Sequence, residues 1–207
     1  GVLAGVHQGF SPVTVGPDDS DAVKPELSTN YEAGVRLTQR NIKGEVIGFL
    51  NDYENLSGSC TQSAGCAQED LDKQFDAGRA LIMGVEFALG AQRRLKNKLR
   101  LTADLAYTYT RARFMTDFES KFAQWGDVSR DDALPYVPEH QGSLRVGAET
   151  KSWGLGSILA GTGEMRDVAG SGPIPEGYDI PGHITWDLNG FYKPSKASKI
   201  YLTVDNV

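Results

Sequence analysis

No run of this 207-residue chain is apolar for long enough to cross a bilayer as a helix. The most apolar stretch, Leu81 to Ala91, is broken by Gly84, Glu86 and Gly90. Basic patches with interleaved aromatics are missing as well, and the formal charge is −6, which argues against a nucleic-acid partner. Histidine is scarce: His7, His140 and His183 stand apart, without supporting motifs. There is no G-x-S-x-G, and the glycine-rich run Gly154 to Gly163 lacks the Lys-Ser/Thr of a phosphate loop. No catalytic constellation emerges, and the expectation is a protein that is not an enzyme and has no cofactor. Nor does a signal peptide precede Gly1, where the chain already alternates like a strand, so it reads as a piece of a longer protein.

Cysteine is limited to Cys60 and Cys66, six apart in a Ser-, Gly-, Thr- and Gln-rich segment. A disulfide closing that small loop is the expected pairing and points to an oxidising compartment, with a local stabilisation of about 2 kcal/mol. The rival is a metal pair, but no histidine is near.

What the chain does have is period-two alternation. In the clearest run, Leu99, Leu101, Ala103, Leu105, Tyr107 and Tyr109 alternate with Arg100, Thr102, Asp104, Thr108 and Thr110. Such a run is a strand. Soluble strands usually stop at about five or six residues, whereas a tilted strand needs about 9 to 11 to cross a bilayer. Strands are predicted at 1–10, 25–39, 42–57, 77–92, 96–114, 136–151, 154–167, 181–193 and 198–207, nine in all. Two read less cleanly: Val46 to Leu50 is apolar on both sides, and Leu155 to Gly163 is glycine-rich, which suggests a bulge or a contact with another element.

The connections sort by length. Those near Arg40 and Asn41, Arg93 to Leu95, Ser152 and Trp153, and Pro194 to Ala197 are tight, and those at 11–24, 58–76, 115–135 and 168–180 are long. Short and long alternate throughout, as in outer-membrane barrels with short periplasmic turns and longer extracellular loops. Each strand has one apolar and one polar face, yet a soluble barrel filled with apolar side chains has the same period, so alternation alone does not say which face is inward. The late stripe of Tyr107 and Tyr109 followed by Arg111 and Arg113 runs from aliphatic to aromatic to cationic, the order met on leaving lipid, with a solvated strand end as the alternative for the two arginines. On that reading Glu32, Arg36, Glu86, Arg100, Asp104, Arg145, Glu149 and Asp187 face inward and pair across strands. The fold class expected is all-β: an antiparallel transmembrane β-barrel fragment. Nine strands cannot close by themselves in lipid, since open edges leave backbone groups unpaired.

Specific words extend this reading. Ala4-Gly-Val-His-Gln-Gly-Phe-Ser-Pro12, then Lys24-Pro-Glu-Leu-Ser-Thr-Asn-Tyr-Glu-Ala-Gly-Val-Arg36, Asn51-Asp-Tyr-Glu-Asn-Leu56, Gly84-Val-Glu86, Val137-Pro-Glu-His140 and Val204-Asp-Asn-Val207 follow one another in order. Together they resemble the barrel of TonB-dependent outer-membrane receptors, and the His-Gln-Gly-Phe-Ser-Pro opening with the small cysteine loop is most similar to the ferric citrate receptor branch. The resemblance implies that residues 1–207 are the C-terminal portion of a plugged barrel of roughly 22 strands, with the plug domain and the N-terminal strands absent. It implies a bacterial outer-membrane receptor taking up an iron chelate, ferric citrate or another siderophore, with iron as cargo. Its implied partners are TonB through the missing N-terminal segment, its own plug, and outer-membrane lipid or lipopolysaccharide.

An anionic chelate calls for Arg, Gln and aromatic donors in the long loops. Those available are Gln62, Gln68, Gln124, Trp125, Arg130 and Arg166, with Gln62 held beside the cysteines. Solvated loop residues are the alternative for each. Two other classes stay open: a soluble or surface β-rich binding or adhesion module, and an outer-membrane enzyme barrel that the missing Ser-His motif disfavours.

Overall fold

A computed structural model describes residues 1–12, 24–59, 68, 71, 74–96 and 98–207. The strands in chain order are β1 (Val2–Ser11), β2 (Glu26–Thr38), β3 (Ile42–Glu54), β4 (Ser57–Ser59), β5 (Gln74–Asp76), β6 (Ala80–Arg94), β7 (Arg100–Phe114), β8 (Phe118–Glu119), β9 (Asp127–Val128), β10 (His140–Glu149), β11 (Trp153–Thr162), β12 (Met165–Arg166), β13 (Asp179–Ile180), β14 (His183–Tyr192) and β15 (Ile200–Val204). Nine of them form one antiparallel sheet in the order β1-β2-β3-β6-β7-β10-β11-β14-β15, and the six short ones pair into three small hairpins. All nine predicted strands are present as an up-and-down meander. Eight are 10 to 15 residues long, enough to cross a bilayer at a tilt.

Several predicted ends were too generous, for local reasons. β3 stops at Glu54 because Asn55 takes a positive φ of 55° and turns the chain, and Ser57 then donates its backbone N–H to the Glu26 carboxylate instead of to a ladder. β10 begins at His140 rather than 136, because Tyr136 has φ 59° and Pro135 and Pro138 bracket it. The tight turns close by backbone bonds: Gln39 to Ile42, Leu95 to Leu99, and Thr150 to Trp153.

Register decides the faces. The row Val2, Val35, Val46, Phe87 and Tyr107 runs across five neighbouring strands, as Leu89, Leu105, Leu144, Leu159 and Trp186 do farther along the sheet. On the opposite face, Arg36 meets Glu45, Asp104 meets Arg145, and Arg100 meets Glu149. The two irregular strands show no bulge; their pairing is unbroken. The expected contact with another element takes the form of glycine seats. Ile47 and Phe49 lie on the polar face over Gly34 and Gly84, where an added Cβ would come within 2.9 Å and 2.6 Å of them. In β11, Gly154 seats the Phe191 ring in the same way at 2.4 Å. Large apolar side chains thus occupy the polar face without crowding the backbone.

The ambiguity of inward and outward faces is resolved by what is covered. Large side chains of the apolar face are left bare along the sheet, among them Val35 at 56%, Leu155 at 66% and Ile184 at 71% exposed. A bare apolar surface of this extent is stable only against lipid, which replaces water as its solvent. The buried core lies on the other side: Ala80, Ala112 and Phe114, with Tyr53 and Ile82 packed against them, all belong to the polar face at its long-loop end. A soluble module would cover the first face and expose the second. β1 and β15 each have one neighbour, so the sheet is a partial barrel wall.

A charge placed on each face of β7 tests the face assignment. Leu105→Arg should lower unfolding stability in lipid by about 2 to 4 kcal/mol, whereas Thr102→Arg on the polar face should cost under about 1 kcal/mol. Denaturant titration of the full-length protein in vesicles reads the difference, and equal losses would reverse or erase the assignment.

Candidate functional site

Three of the four long connections contribute described residues to a roof over the polar face. Phe122, Trp125, Val128 and Leu134, from the segment after β7, pack with Phe114, Ala112, Ala80 and Ala77. The rings meet edge to face: Phe122 and Trp125 at 4.8 Å, Phe114 and Phe118 at 5.3 Å, Phe118 and Trp125 at 5.9 Å. Phe75 of β5 stacks on Phe122 at 5.9 Å, which joins the β4–β5 hairpin to the same cluster. Edge-to-face pairs add about 0.5 to 1.5 kcal/mol each beyond area burial. Gly58 lies beneath, and a Cβ there would come within 2.8 Å of the Trp125 ring.

Polar bonds complete the roof. Arg130 donates its backbone N–H to Asp117 Oδ1 at 2.6 Å, and Ser129 donates its own to Asp132 Oδ2 at 2.8 Å. Asp132 is buried, so its carboxylate is held by a donor instead of water. The segment after β11 is threaded onto the segment after β7. Ala169 N–H donates to the Gln124 carbonyl at 2.8 Å, Ala133 to Gly170 at 2.8 Å, and Tyr136 to the Arg166 carbonyl at 2.8 Å. At the rim of the apolar face, Arg79 grips Asp52 with two bonds of 2.8 and 2.6 Å. This carboxylate raises the Arg79 guanidinium above its ordinary range, first by hydrogen bonding and then by charge.

The candidate ligand residues fall into different settings. Trp125 is 7% exposed with its ring enclosed by three phenylalanines, which makes it a pillar of the roof in this structure and not a free contact surface. Arg166 is 8% exposed; its Nη2 donates to the Gly172 carbonyl at 2.8 Å, and its Nη1 lies 2.8 Å from where a Cβ of Gly170 would stand. It braces its own loop. Gln124 is half-buried, with its carbonyl engaged as above, and Arg130 and Gln68 are exposed. Gln62, Cys60 and Cys66 lie outside the described residues.

Two aromatics that the sequence reading passed over stand at the same place. Tyr136 is 46% and Tyr178 is 49% exposed, and backbone bonds tie them to Arg166 and Asp167: Tyr136 as above, and Asp167 N–H to the Tyr178 carbonyl at 3.1 Å. Tyr136 holds a left-handed backbone, a strained state for a bulky residue, and such strain clusters at functional sites. The Asp167 Oδ1 atom is buried and has no hydrogen-bond partner among the described residues. The Pro135-Tyr136 and Gly177-Tyr178 pairs were the available sequence signals, as turn-forming residues beside an exposed ring.

Of the inward charges, Arg36 pairs with Glu45 and Arg100 with Glu149 at 2.7 Å. Asp187 accepts the Asn206 backbone N–H at 2.8 Å instead of pairing. Tyr107 and His140 share a hydrogen bond of 2.8 Å on the apolar face near its long-loop end, an interfacial setting. Among the described residues, no three His, Cys, Asp or Glu side chains are placed to hold a metal ion.

A family model described as "TonB dependent receptor-like, beta-barrel" matches residues 2–207. Among curated proteins nothing matches. Among solved structures the chain is similar to the copper transporter OprC, at 20% identity and TM-score 0.67, covering 99% of this chain and 30% of that one. It is also similar to the ferric yersiniabactin uptake receptor FyuA from Yersinia pestis, at 18% identity and TM-score 0.66, with coverages of 100% and 29%. A mutant of the ferric enterobactin receptor PfeA from Pseudomonas aeruginosa aligns at 17% identity and TM-score 0.65, with coverages of 100% and 32%. The chain therefore spans about a third of the length of these structures, and at such identities the likeness is one of fold.

Trp125→Ala should remove about 3 to 5 kcal/mol from the local stability of the roof. Hydrogen exchange of the full-length protein should then speed up across 115–139 while β6 and β7 stay protected below it. Gly58→Val should act in the same direction by displacing the Trp125 ring. Unchanged exchange in both variants would mean that the ring cluster does not hold the loops.

Proposed function

Because the chain belongs to the TonB-dependent receptor-like β-barrel family, we propose that it is the C-terminal part of the wall of an outer-membrane receptor that imports an iron chelate. The family is one of transport receptors of the bacterial outer membrane, and no step of the proposed activity requires enzymatic chemistry. The observation that carries the reading is the roof: long loops at one end of the wall fold onto the polar face and present Arg130, Tyr136 and Tyr178 to solvent, with Gln124 half-buried beside them. The plug would fill the lumen, and a segment ahead of it would take up energy from TonB.

The cargo that suits these groups is a carboxylate-rich or phenolate-rich ferric complex, such as ferric citrate or another siderophore. Guanidinium groups donate two parallel hydrogen bonds to carboxylate, amides add neutral donors, and tyrosines supply flat apolar contact. The chelate would be recognised by its organic shell, with no protein side chain bonded to the iron. Two of the solved relatives are receptors for ferric siderophores, enterobactin and yersiniabactin, and a third is a copper transporter.

Cells that express the full-length protein as their sole receptor of this type should accumulate labelled iron supplied as citrate, and removal of TonB should abolish uptake. Arg130→Gln combined with Tyr136→Ala should weaken binding of the iron complex to purified receptor at least tenfold, about 1.4 kcal/mol, while the barrel remains folded. Energised uptake of a different chelate with none from citrate would assign the cargo elsewhere. TonB-independent accumulation would refute the transport reading.

A further inference from the structure

The two ends of the wall differ in charge. The four tight connections, residues 39–41, 95–99, 150–152 and 193–199, together with Arg93 and Arg94 at the end of β6, hold nine Lys and Arg side chains and no acid. The four long ones, 12–25, 55–79, 115–139 and 163–182, hold seventeen acids against six cations. Not every cation at the tight end is free to meet a partner. Lys199 Nζ sits 4.2 Å from the Phe191 ring centre and 4.1 Å from that of Tyr201, and Lys193 lies 5.6 Å from Phe191. Arg94 stands opposite Arg100 on the polar face, on the side of the wall away from lipid. Six remain: Arg40, Arg93, Lys96, Lys98, Lys151 and Lys196 are all exposed, and none enters an ion pair among the described residues.

Their depth follows from the register. On the apolar face, Trp153 of β11 is paired with Tyr192 of β14, and both rings are exposed. Amphipathic rings of this kind settle where hydrocarbon meets headgroups. Lys151 lies two residues beyond Trp153, and the turn bearing Lys196 begins one residue beyond Tyr192. On the membrane side of these rings the wall is dented, because Ala148, Ser157 and Gly190 leave a shallow apolar depression of about 590 Å³ bordered by Val146, Leu155 and Leu202. An acyl chain fits that shape, and a phosphate above it would meet cations without crossing any acid.

We infer that this rim binds anionic phospholipid of the periplasmic leaflet, with the phosphate held by the exposed Lys and Arg of the tight turns and an acyl chain in the depression below Trp153 and Tyr192. Neutralisation by several cations spread along a rim gives selection by charge and not by headgroup shape, and the attraction is screened by salt.

The test uses the full-length receptor in vesicles of phosphatidylcholine carrying traces of spin-labelled phosphatidylglycerol or phosphatidylcholine, with the fraction of motionally restricted lipid as readout. Phosphatidylglycerol should be preferred over phosphatidylcholine on the order of fivefold at low salt, and high salt should bring the ratio down. Replacing the six exposed cations by Gln should bring it close to one, while the receptor still resists unfolding by detergent until heated. Lys121→Gln, at the opposite end, should leave it unchanged. A native receptor without preference overturns the proposal, and so does a preference that persists in high salt, which keeps the test independent of whether the sixfold variant folds. Displacement of the bound phosphatidylglycerol by polyglutamate at equal charge would assign the rim to an acidic polypeptide instead.

Discussion

The unbroken hydrogen-bond ladder between neighbouring strands is the constraint on which everything else rests. In lipid, a backbone group without a partner costs several kcal/mol, so the wall tolerates neither a gap nor a bulge within its span. From β2 to β3 and from β6 to β7 the pairing runs through twelve and fifteen consecutive positions. A slip of one residue would carry Leu89, Leu105 and Leu144 to the wet side and Asp104 and Arg145 into hydrocarbon. The alternation therefore does two things at once: it chooses the solvent of each face and pins the register that makes the choice possible. The glycine seats serve the same end, since Gly34, Gly84 and Gly154 let bulky neighbours lie on the polar face without pushing the strands apart.

The roof solves a different problem. Water competes for every loop hydrogen bond at the open end, so loops there need apolar burial to hold one shape. The cluster around Phe114 and Trp125 supplies it, and it borrows its floor from wall positions that are small or apolar just where the polar face would otherwise carry charge. Ala80 opens β6, and Ala112 and Phe114 close β7, so these small and apolar positions lie together at the long-loop end of the polar face, where the wall stops as a membrane element and continues as a globular one.

The wall was legible in the sequence and most of the roof was not. Period-two alternation and the sorting of loop lengths are local signals, and they placed all nine strands. The faces are fixed by the side that is buried, because alternation is symmetric under exchange of inside and outside. Loop contacts are long-range: nothing near Gln124 announces that its carbonyl will meet Ala169, and an aromatic such as Trp125 in a long loop reads equally as a ligand platform or as a core residue. Tyr136 was missed because a positive φ at a non-glycine residue is imposed by its neighbours, here Pro135 and the bond to Arg166.

The cross-bridges between the segments after β7 and β11 have a consequence for how such a protein can change over time. Ala133 is bonded to Gly170 and bridged to Arg113, so three stretches that are distant in sequence share one short junction. An insertion in either loop that shifts this junction by one residue would misplace the other loop too. New specificity would then arise more readily by side-chain exchange at Arg130, Tyr136 or Tyr178 than by changes in loop length. The two outer loops are thereby coupled in inheritance, and a loop transplanted alone from a relative would arrive without the partner that gives it shape.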